Sequence, residues 1–144
     1  MQSIKGTWLL QSLIMENENK TIEPFGRNVK GVLIYTEDGY MTGIISATER
    51  PNVSSPAMMG LSDEERIAIS KNFNAYAGRY KVEADKIIHY VESSFVPNLM
   101  TLQEHVLSFN VEDNKLVTVS IPAIKELQSN QIILTWERAG NSVC

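Results

Sequence analysis

Two histidines are the side chains of this sequence best suited to proton transfer near neutral pH, and His89 is the first of them. Residues 86–98 predict one strand that ends at a Pro-Asn turn. Because side chains alternate between the two faces of a strand, His89 shares a face with Val91 and Ser93. A histidine beside a serine hydroxyl forms either the polar end of a pocket or a structural histidine that ties strands together. The sequence leaves both interpretations open.

His105, the second histidine, lies on the next predicted strand, residues 101–110. Leu107 and Phe109 have the same parity, which favours an inward position for all three side chains. A one-residue shift in strand pairing would instead send His105 to solvent and turn Glu104 inward. If the side chain faces inward, the two histidines could converge and divide acid and base roles, with pKa values set apart by their environments.

Hairpins are the elements that would position these side chains. Asp38-Gly39 between two β-rich segments is a strong hairpin signal. A two-residue turn at 84–85 would place Tyr80 directly opposite His89, which makes Tyr80 a third catalytic candidate. About eight strands in meander order indicate an all-β fold, an eight-stranded antiparallel barrel that can hold one small ligand. A β-sandwich is the alternative architecture.

One helix is predicted, over residues 62–76. Ser62-Asp63-Glu64-Glu65 has the spacing of a capping box, and its acidic first turn suits the positive end of the helix dipole. Phe73 and Tyr76 fall on the apolar stripe of this helix, which would pack on a sheet or plug an opening. The preceding loop, residues 49–61, contains Met58 and could close the barrel mouth as a lid.

Length and composition limit the classes of protein that fit. A chain of 144 residues predicts one domain, 1–144, with a single core. The net charge is -4 without a basic cluster, so nucleic acid and membrane surfaces are not expected partners. The single cysteine, Cys144, excludes an intramolecular disulfide framework, and the soft ligands are too few for a structural zinc site. We expect a cytoplasmic protein, because the apolar run at residues 8–10 is too short for a signal-peptide core or a membrane span. No metal or cofactor is expected, since no phosphate-binding or dinucleotide-binding motif is present.

Gly6-Thr7-Trp8 near the start of the chain is followed in order by Pro24-Phe25-Gly26, Gly39-Tyr40-Met41 and further short motifs. Together, in this order, they resemble the pattern of the bacterial and fungal lipocalin-like domain family. The matches extend from Gly6 to Trp136, which is nearly the whole chain. The resemblance implies an eight-stranded barrel with a ligand cavity, and some family members belong to natural-product pathways. It also implies that an arginine, Arg138 or else Arg79, packs across Trp8. The motifs are Gly6-Thr7-Trp8, Pro24-Phe25-Gly26, Gly31-Val32-Leu33-Ile34-Tyr35-Thr36, Gly39-Tyr40-Met41, Tyr76-x-Gly78-x-Tyr80, His89-x-Val91-Glu92 and Pro97-Asn98.

The chain departs from the family pattern at two places. Leu99 follows the Pro-Asn turn, where the family carries tryptophan. On the next strand the family carries glutamine and arginine where this chain has His105 and Leu107. The loss of an arginine and the gain of a histidine imply a more apolar ligand that meets its own acid–base group.

These observations predict a cofactor-independent enzyme that isomerises, cyclises or dehydrates a small hydrophobic natural-product intermediate inside the barrel. His89, His105 and Tyr80 are the predicted catalytic residues. The alternative is a non-catalytic binder or carrier of a hydrophobic molecule, and a homodimer is possible in either case. Trp8 and Trp136 are also interpreted as core residues that close the barrel. The predicted ligand-binding residues are Trp8, Leu10, Tyr35, Tyr40, Met58, Phe73, Tyr76, Val91, Ser93, Asn98, Leu107 and Phe109.

Overall fold

Antiparallel strands make up most of the fold. The computed structural model describes residues 3–18, 20–55, 59–101, 104–120 and 130–140. Within these ranges the elements, in chain order, are β1 (Gly6–Asn17), β2 (Lys20–Ile22), β3 (Val29–Tyr35), β4 (Tyr40–Ala47), α1 (Asp63–Ser70), β5 (Phe73–Glu83), β6 (Lys86–Ser94), α2 (Asn98–Thr101), β7 (His105–Glu112), β8 (Lys115–Ser120) and β9 (Gln131–Arg138).

Eight of these strands close into a barrel. Strand β1 pairs with β3, each strand from β3 to β8 pairs with the next, and β9 pairs back with β1. All of these pairings are antiparallel. The short strand β2 pairs with the end of β1 beside this closed ring. Closure leaves the eight strands without free edges, and it confirms the predicted eight-stranded antiparallel barrel.

The helix α1 is shorter than predicted. Its capping box is present, because the Ser62 hydroxyl accepts from the Glu65 amide and the Glu65 carboxylate accepts from the Ser62 amide. The helix ends at Ser70, however, and Asn72 adopts a left-handed φ of 55° before strand β5 begins. The prediction that Phe73 and Tyr76 lie on a helix is therefore wrong. Both lie on β5, where pairing with β4 and β6 overrides the apparent helical period. Among the described residues, no helix is long and apolar enough to cross a membrane.

A β-bulge in β1 changes which residues face inward. The pairing of β1 with β9 shifts between Leu10 and Ser12. Since a bulge adds one residue to one strand, the alternation of faces restarts after it. Leu13 is buried instead of Ser12, contrary to the simple alternation of the sequence.

A second bulge lies between β5 and β6. Gly78 pairs with Val91 and Ala77 pairs with Ser93, so that one residue of β6 has no partner position. A Cβ atom on Gly78 would lie 2.0 Å from the carbonyl oxygen of Tyr90, a contact that no side chain tolerates. Glycine is therefore required where the two backbones approach this closely.

The first and last barrel strands meet around Trp8, which is fully buried. Its indole N–H donates to the carbonyl oxygen of Ile4 at 2.8 Å. The Arg138 guanidinium carbon lies 4.2 Å from the centroid of the indole ring. The same guanidinium donates to the carbonyl oxygens of Lys5 and Ser3, each at 2.8 Å. The implied packing of Arg138 across Trp8 is confirmed, and we call Ile4, Lys5, Trp8 and Arg138 the Trp8 cluster.

Candidate ligand-binding site

A cavity of about 120 Å³ lies among the inward-facing side chains of seven barrel strands, β3 to β9. Its size is close to that of an engineered apolar protein cavity of about 150 Å³ that binds benzene. The lining is mainly apolar, with several polar groups, which is the usual composition of a small-molecule site. The lining residues are Leu33, Tyr35, Met41, Gly43, Ile45, Asn74, Ala75, Tyr76, His89, His105, Leu107, Thr118, Ser120, Ile132, Leu134 and Trp136.

His89 is held between two tyrosines on the cavity wall. Its Nε2 atom lies 2.7 Å from the hydroxyl of Tyr35, and its Nδ1 atom lies 2.7 Å from the hydroxyl of Tyr76. Three strands supply this cluster: Tyr35 ends β3, Tyr76 lies on β5 and His89 on β6. His89 and Tyr35 are only 2% and 1% exposed. Both ring nitrogens of the histidine are therefore engaged by hydroxyl groups away from solvent.

Burial sets the charge of this Tyr–His–Tyr cluster. Desolvation lowers the pKa of His89 to about 3, with a smaller contribution from nearby His105. Burial raises the pKa of Tyr35 well above its ordinary value, and Tyr76 and Tyr80 raise it further. Burial also raises the pKa of Tyr76. All three groups of the cluster are thus uncharged at neutral pH, because a charge would lose its hydration without gaining a partner of opposite sign.

His105 occupies a different position on the same wall. It begins β7 directly opposite His89, and the centroids of the two rings are 6.2 Å apart. Its ring is perpendicular to that of Tyr76, again with 6.2 Å between centroids. Burial lowers the pKa of His105. Within the described parts of the chain, no hydrogen bond involves its ring, so its nitrogens are available to a ligand.

The predicted inward orientation of His105 is confirmed, because its side chain lines the cavity together with Leu107. Phe109 has the same parity but packs against the buried core instead of the cavity wall. Trp8 and Leu10, two predicted ligand-binding residues, likewise belong to the core cluster. Two other predicted ligand-binding residues, Tyr35 and Tyr76, do line the cavity.

Tyr80 lies opposite His89, as the two-residue turn predicted. Its hydroxyl, however, donates to the carbonyl oxygen of Thr36 at 2.7 Å, and its ring meets the edge of Tyr35 at 4.8 Å between centroids. It does not belong to the cavity wall. The geometry gives Tyr80 a packing role behind Tyr35, since its one proton is donated to the backbone.

Two predicted ligand-binding residues lie on the outer surface. Tyr40 is 43% exposed because the inward-facing residue at this end of β4 is the next one, Met41. The Tyr40 hydroxyl accepts a hydrogen bond from Arg79 at 3.2 Å. Ser93 is exposed because the bulge between β5 and β6 reverses the alternation after Val91. Both predictions of a cavity position were wrong.

Three further predicted residues, all of them described, lie outside the cavity wall. Phe73 starts β5 and packs edge-to-face with Phe95 at 5.4 Å between centroids. Val91 is buried in β6, and Asn98 is exposed at the start of α2. Met58 lies outside the described residues.

Several cavity residues were missed because they carry no distinctive chemistry. Strict alternation along β8 and β9 predicts the cavity residues of these two strands, because successive cavity residues on each strand lie two positions apart. Trp136, predicted only as a core residue, is 2% exposed and also lines the cavity. Its indole N–H has no hydrogen-bond partner in the described ranges. The missed residues are Leu33, Met41, Gly43, Ile45, Asn74, Ala75, Thr118, Ser120, Ile132, Leu134 and Trp136.

A closed eight-stranded barrel around an apolar cavity defines a lipocalin-type barrel, the class whose members hold small hydrophobic molecules. The sequence profile of the lipocalin-like domain matches residues 5–139. The chain therefore belongs to the lipocalin-like domain family. No protein of curated function matches it at a significant level. Across the described residues, no group of three or more His, Cys, Asp and Glu side chains could hold a metal ion.

Proposed function

We propose that this protein is a binder of a small, largely apolar molecule about the size of a substituted six-membered ring. The observation that carries the proposal is the internal cavity of about 120 Å³ with its mainly apolar wall. Apolar surface that leaves water for such a wall contributes roughly 25 cal/mol per Å². The natural-product pathway, the cytoplasmic location and the homodimer stay predictions.

Binding is favoured over proton transfer by His89 for a physical reason. A histidine with a pKa of about 3 is a weak base at neutral pH, and its two nitrogens already face tyrosine hydroxyls. General acid–base groups work best when their pKa lies near the working pH. His89 therefore fits the role of a fixed polar wall better than that of a proton shuttle.

Filling the cavity tests the binding proposal. In Gly43→Leu the new side chain starts on the cavity wall, where a Cβ atom would make only an ordinary contact with Leu33 at 3.4 Å. We expect methylenecyclohexane, followed by NMR titration, to bind the wild-type protein and to bind this variant at least about tenfold more weakly.

Gly140→Leu is the matched control, because no atom lies within 4 Å of a Cβ built there and the residue is exposed. It should bind methylenecyclohexane as the wild-type protein does. Circular dichroism establishes that both variants are folded. Equal affinity of the wild-type protein and a folded Gly43→Leu variant would contradict the proposal, and so would a failure of the wild-type protein to bind both methylenecyclohexane and the corresponding ketone, cyclohexanone.

An acid–base enzyme is the second candidate, and His105 is the observation that favours it. This side chain lines the cavity, its pKa is lowered by burial, and its ring has no hydrogen bond within the described chain. It could remove a proton from a bound substrate in an isomerisation, cyclisation or dehydration. His105→Gln should then lose turnover by about 10²-fold or more while ligand affinity changes little. Full turnover in a folded His105→Gln variant would exclude this mechanism.

A further inference from the structure

We infer that the ligand is an uncharged molecule with a carbonyl-type oxygen, and that this oxygen accepts a hydrogen bond from the hydroxyl of Tyr76. The inference rests on the proposed binding function and specifies the chemical class of ligand. Its basis is a count of the protons in the Tyr–His–Tyr cluster.

The cluster has more donors than it can pair internally. Tyr35, His89 and Tyr76 carry three polar hydrogens when the imidazole is neutral, and two hydrogen bonds join them. A neutral imidazole donates through one nitrogen and accepts through the other. One of the two tyrosines therefore donates its proton to His89, and the other accepts from it. The tyrosine that accepts from His89 keeps its own O–H proton. If the imidazole were charged, both tyrosines would keep theirs, so in either state at least one hydroxyl proton lacks an acceptor among the described residues.

The unpaired proton belongs to Tyr76. A buried donor without an acceptor is costly, and the cost grows as water is excluded. Tyr35 is 1% exposed, whereas Tyr76 is only partly buried. The favoured arrangement therefore has Tyr35 donating to Nε2 of His89 and Nδ1–H of His89 donating to Tyr76. The Tyr76 hydroxyl, on the cavity wall, is then free to donate to a ligand.

Trp136, another residue of the cavity wall, carries a second unpaired donor. The indole N–H of Trp136 has no partner among the described residues, although this residue is 2% exposed. Indole nitrogen can only donate. With the N–H of a neutral His105, the unpaired donors of the described wall residues number three, against the one acceptor nitrogen of that ring, which favours an oxygen acceptor on the ligand over a further donor.

The wall also selects against charged ligands. None of the described residues that line the cavity is Asp, Glu, Lys or Arg. A carboxylate or ammonium group transferred into such a cavity would lose its hydration without meeting an opposite charge. A neutral ketone, aldehyde, ester or amide satisfies both conditions, since it brings an acceptor and no charge.

Cyclohexanone and methylenecyclohexane provide a matched pair of probes, because they differ only in C=O against C=CH₂. We expect the infrared C=O stretch of bound cyclohexanone to lie at lower wavenumber than in hexane, as a hydrogen-bonded carbonyl does. In Tyr76→Phe the stretch should return towards the hexane value, and cyclohexanone affinity should fall about five- to tenfold. The affinity for methylenecyclohexane should change less than about twofold.

Tyr40→Phe is the control for the loss of a tyrosine hydroxyl, because Tyr40 lies on the outer surface. It should leave both affinities and the C=O stretch unchanged. Cyclohexylammonium and cyclohexanecarboxylate test the charge condition, and each should bind at least about a hundredfold more weakly than cyclohexanone.

Each other outcome overturns a defined part of the inference. An unshifted C=O stretch in the wild-type protein overturns the carbonyl acceptor, and a shift that survives Tyr76→Phe overturns the assignment to Tyr76. A charged probe that binds as tightly as cyclohexanone overturns the neutral class. Binding of methylenecyclohexane without cyclohexanone overturns the inference and leaves the binding function intact. If neither neutral probe binds, the binding function itself is overturned.

Discussion

Trp8 and Trp136 lie on the two strands that close the barrel, and both are almost fully buried, at 0% and 2% exposure. Their polar atoms are treated differently. The indole N–H of Trp8 donates to a backbone carbonyl, and Arg138 stacks on its ring. The indole N–H of Trp136 has no partner in the described chain, and its ring lines the cavity. The paired indole of Trp8 stabilises the closure of the barrel, whereas the unpaired indole of Trp136, a cavity-lining residue, is a candidate donor to the proposed ligand.

The surroundings of the two tryptophans extend this contrast. In the Trp8 cluster, the guanidinium of Arg138 donates to two backbone carbonyls and the Trp8 indole donates to a third. Around the cavity, His105 makes no hydrogen bond within the described chain, and one tyrosine proton of the Tyr–His–Tyr cluster has no acceptor. Unpaired polar groups lower stability, and under the proposed function a bound ligand would supply the missing partners.

The largest expected effect is the loss of Trp8. Trp8→Ala removes a fully buried ring and its hydrogen bond to Ile4, so it should lower the free energy of unfolding by about 3–5 kcal/mol. Urea denaturation measures the change.

The matched pair Trp8→Phe and Trp136→Phe sharpens the comparison. Trp8→Phe removes the donor to the Ile4 carbonyl, whereas Trp136→Phe removes an N–H that has no partner in the described chain. Trp8→Phe should therefore be the more destabilising of the two by about 1–3 kcal/mol. Equal destabilisation would show that the two indole groups are not used differently.

The closure could be predicted from the sequence, because it depends on distinctive residues. Gly6-Thr7-Trp8 near the start and Arg138 near the end are separated in sequence, but their types match a known packing arrangement. The register that places Tyr80 opposite His89 could also be predicted, since a two-residue turn fixes the pairing of its strands. Local turn chemistry and distinctive aromatic residues were sufficient in both cases.

The second prediction concerns pH. The pKa of His89 is about 3 in the folded protein, and about 6.5 is usual for a histidine in an unfolded chain. Below pH 6.5 the unfolded chain therefore gains a proton that the folded chain does not, and stability falls as the pH falls. The slope approaches about 1.4 kcal/mol per pH unit, so His89 should account for about 2 kcal/mol between pH 7 and pH 5.

Urea denaturation of the wild-type protein and of His89→Gln at pH 7, 6 and 5 measures this contribution. The burial-lowered pKa of His105 acts in the same direction, but it is present in both proteins and cancels in their difference. The Trp8 cluster contains no histidine, so it adds no histidine titration to this pH dependence. The same loss of stability on acidification in both proteins would contradict a buried, neutral His89.

The third prediction concerns the guanidinium of the Trp8 cluster. Arg138→Gln loses the contact with the Trp8 ring and the donors to Lys5 and Ser3, so it should lower stability by about 1–2 kcal/mol. Arg79→Gln is the control, because Arg79 stacks on the exposed Tyr40 and should cost less than about 0.5 kcal/mol. Thermal and urea unfolding of both variants compare them, and similar costs would show that the arginine of the Trp8 cluster is no more than a surface contact.

The cavity wall was harder to predict than the closure. Alternation predicts that Ser93 faces inward, but one extra residue in β6 reverses which side chains face inward. In the sequence, the only signal for that bulge is Gly78, a position where no other residue fits. Phe73 and Tyr76 satisfied a helical period over residues that pair as a strand. The hydrogen bonds of His89 to Tyr35 and Tyr76 depend on the relative stagger of three strands. That stagger is set by the register of the whole barrel. No short motif encodes such a contact.

The smallest expected effect compares one serine from each region. Ser120 lines the cavity, whereas Ser3 is exposed beside the Trp8 cluster, where its hydroxyl accepts from the Lys5 amide at 3.1 Å. Both Ser→Ala variants should change stability by less than about 0.5–1 kcal/mol. Ser120→Ala removes a hydroxyl that an apolar ligand would have to desolvate, so methylenecyclohexane should bind roughly two- to fivefold more tightly. Ser3→Ala should leave that affinity unchanged, since its hydroxyl is paired away from the cavity. An affinity that responds to Ser3→Ala, or that falls in Ser120→Ala, would mean that the ligand does not occupy the side of the barrel where polar groups are left unpaired.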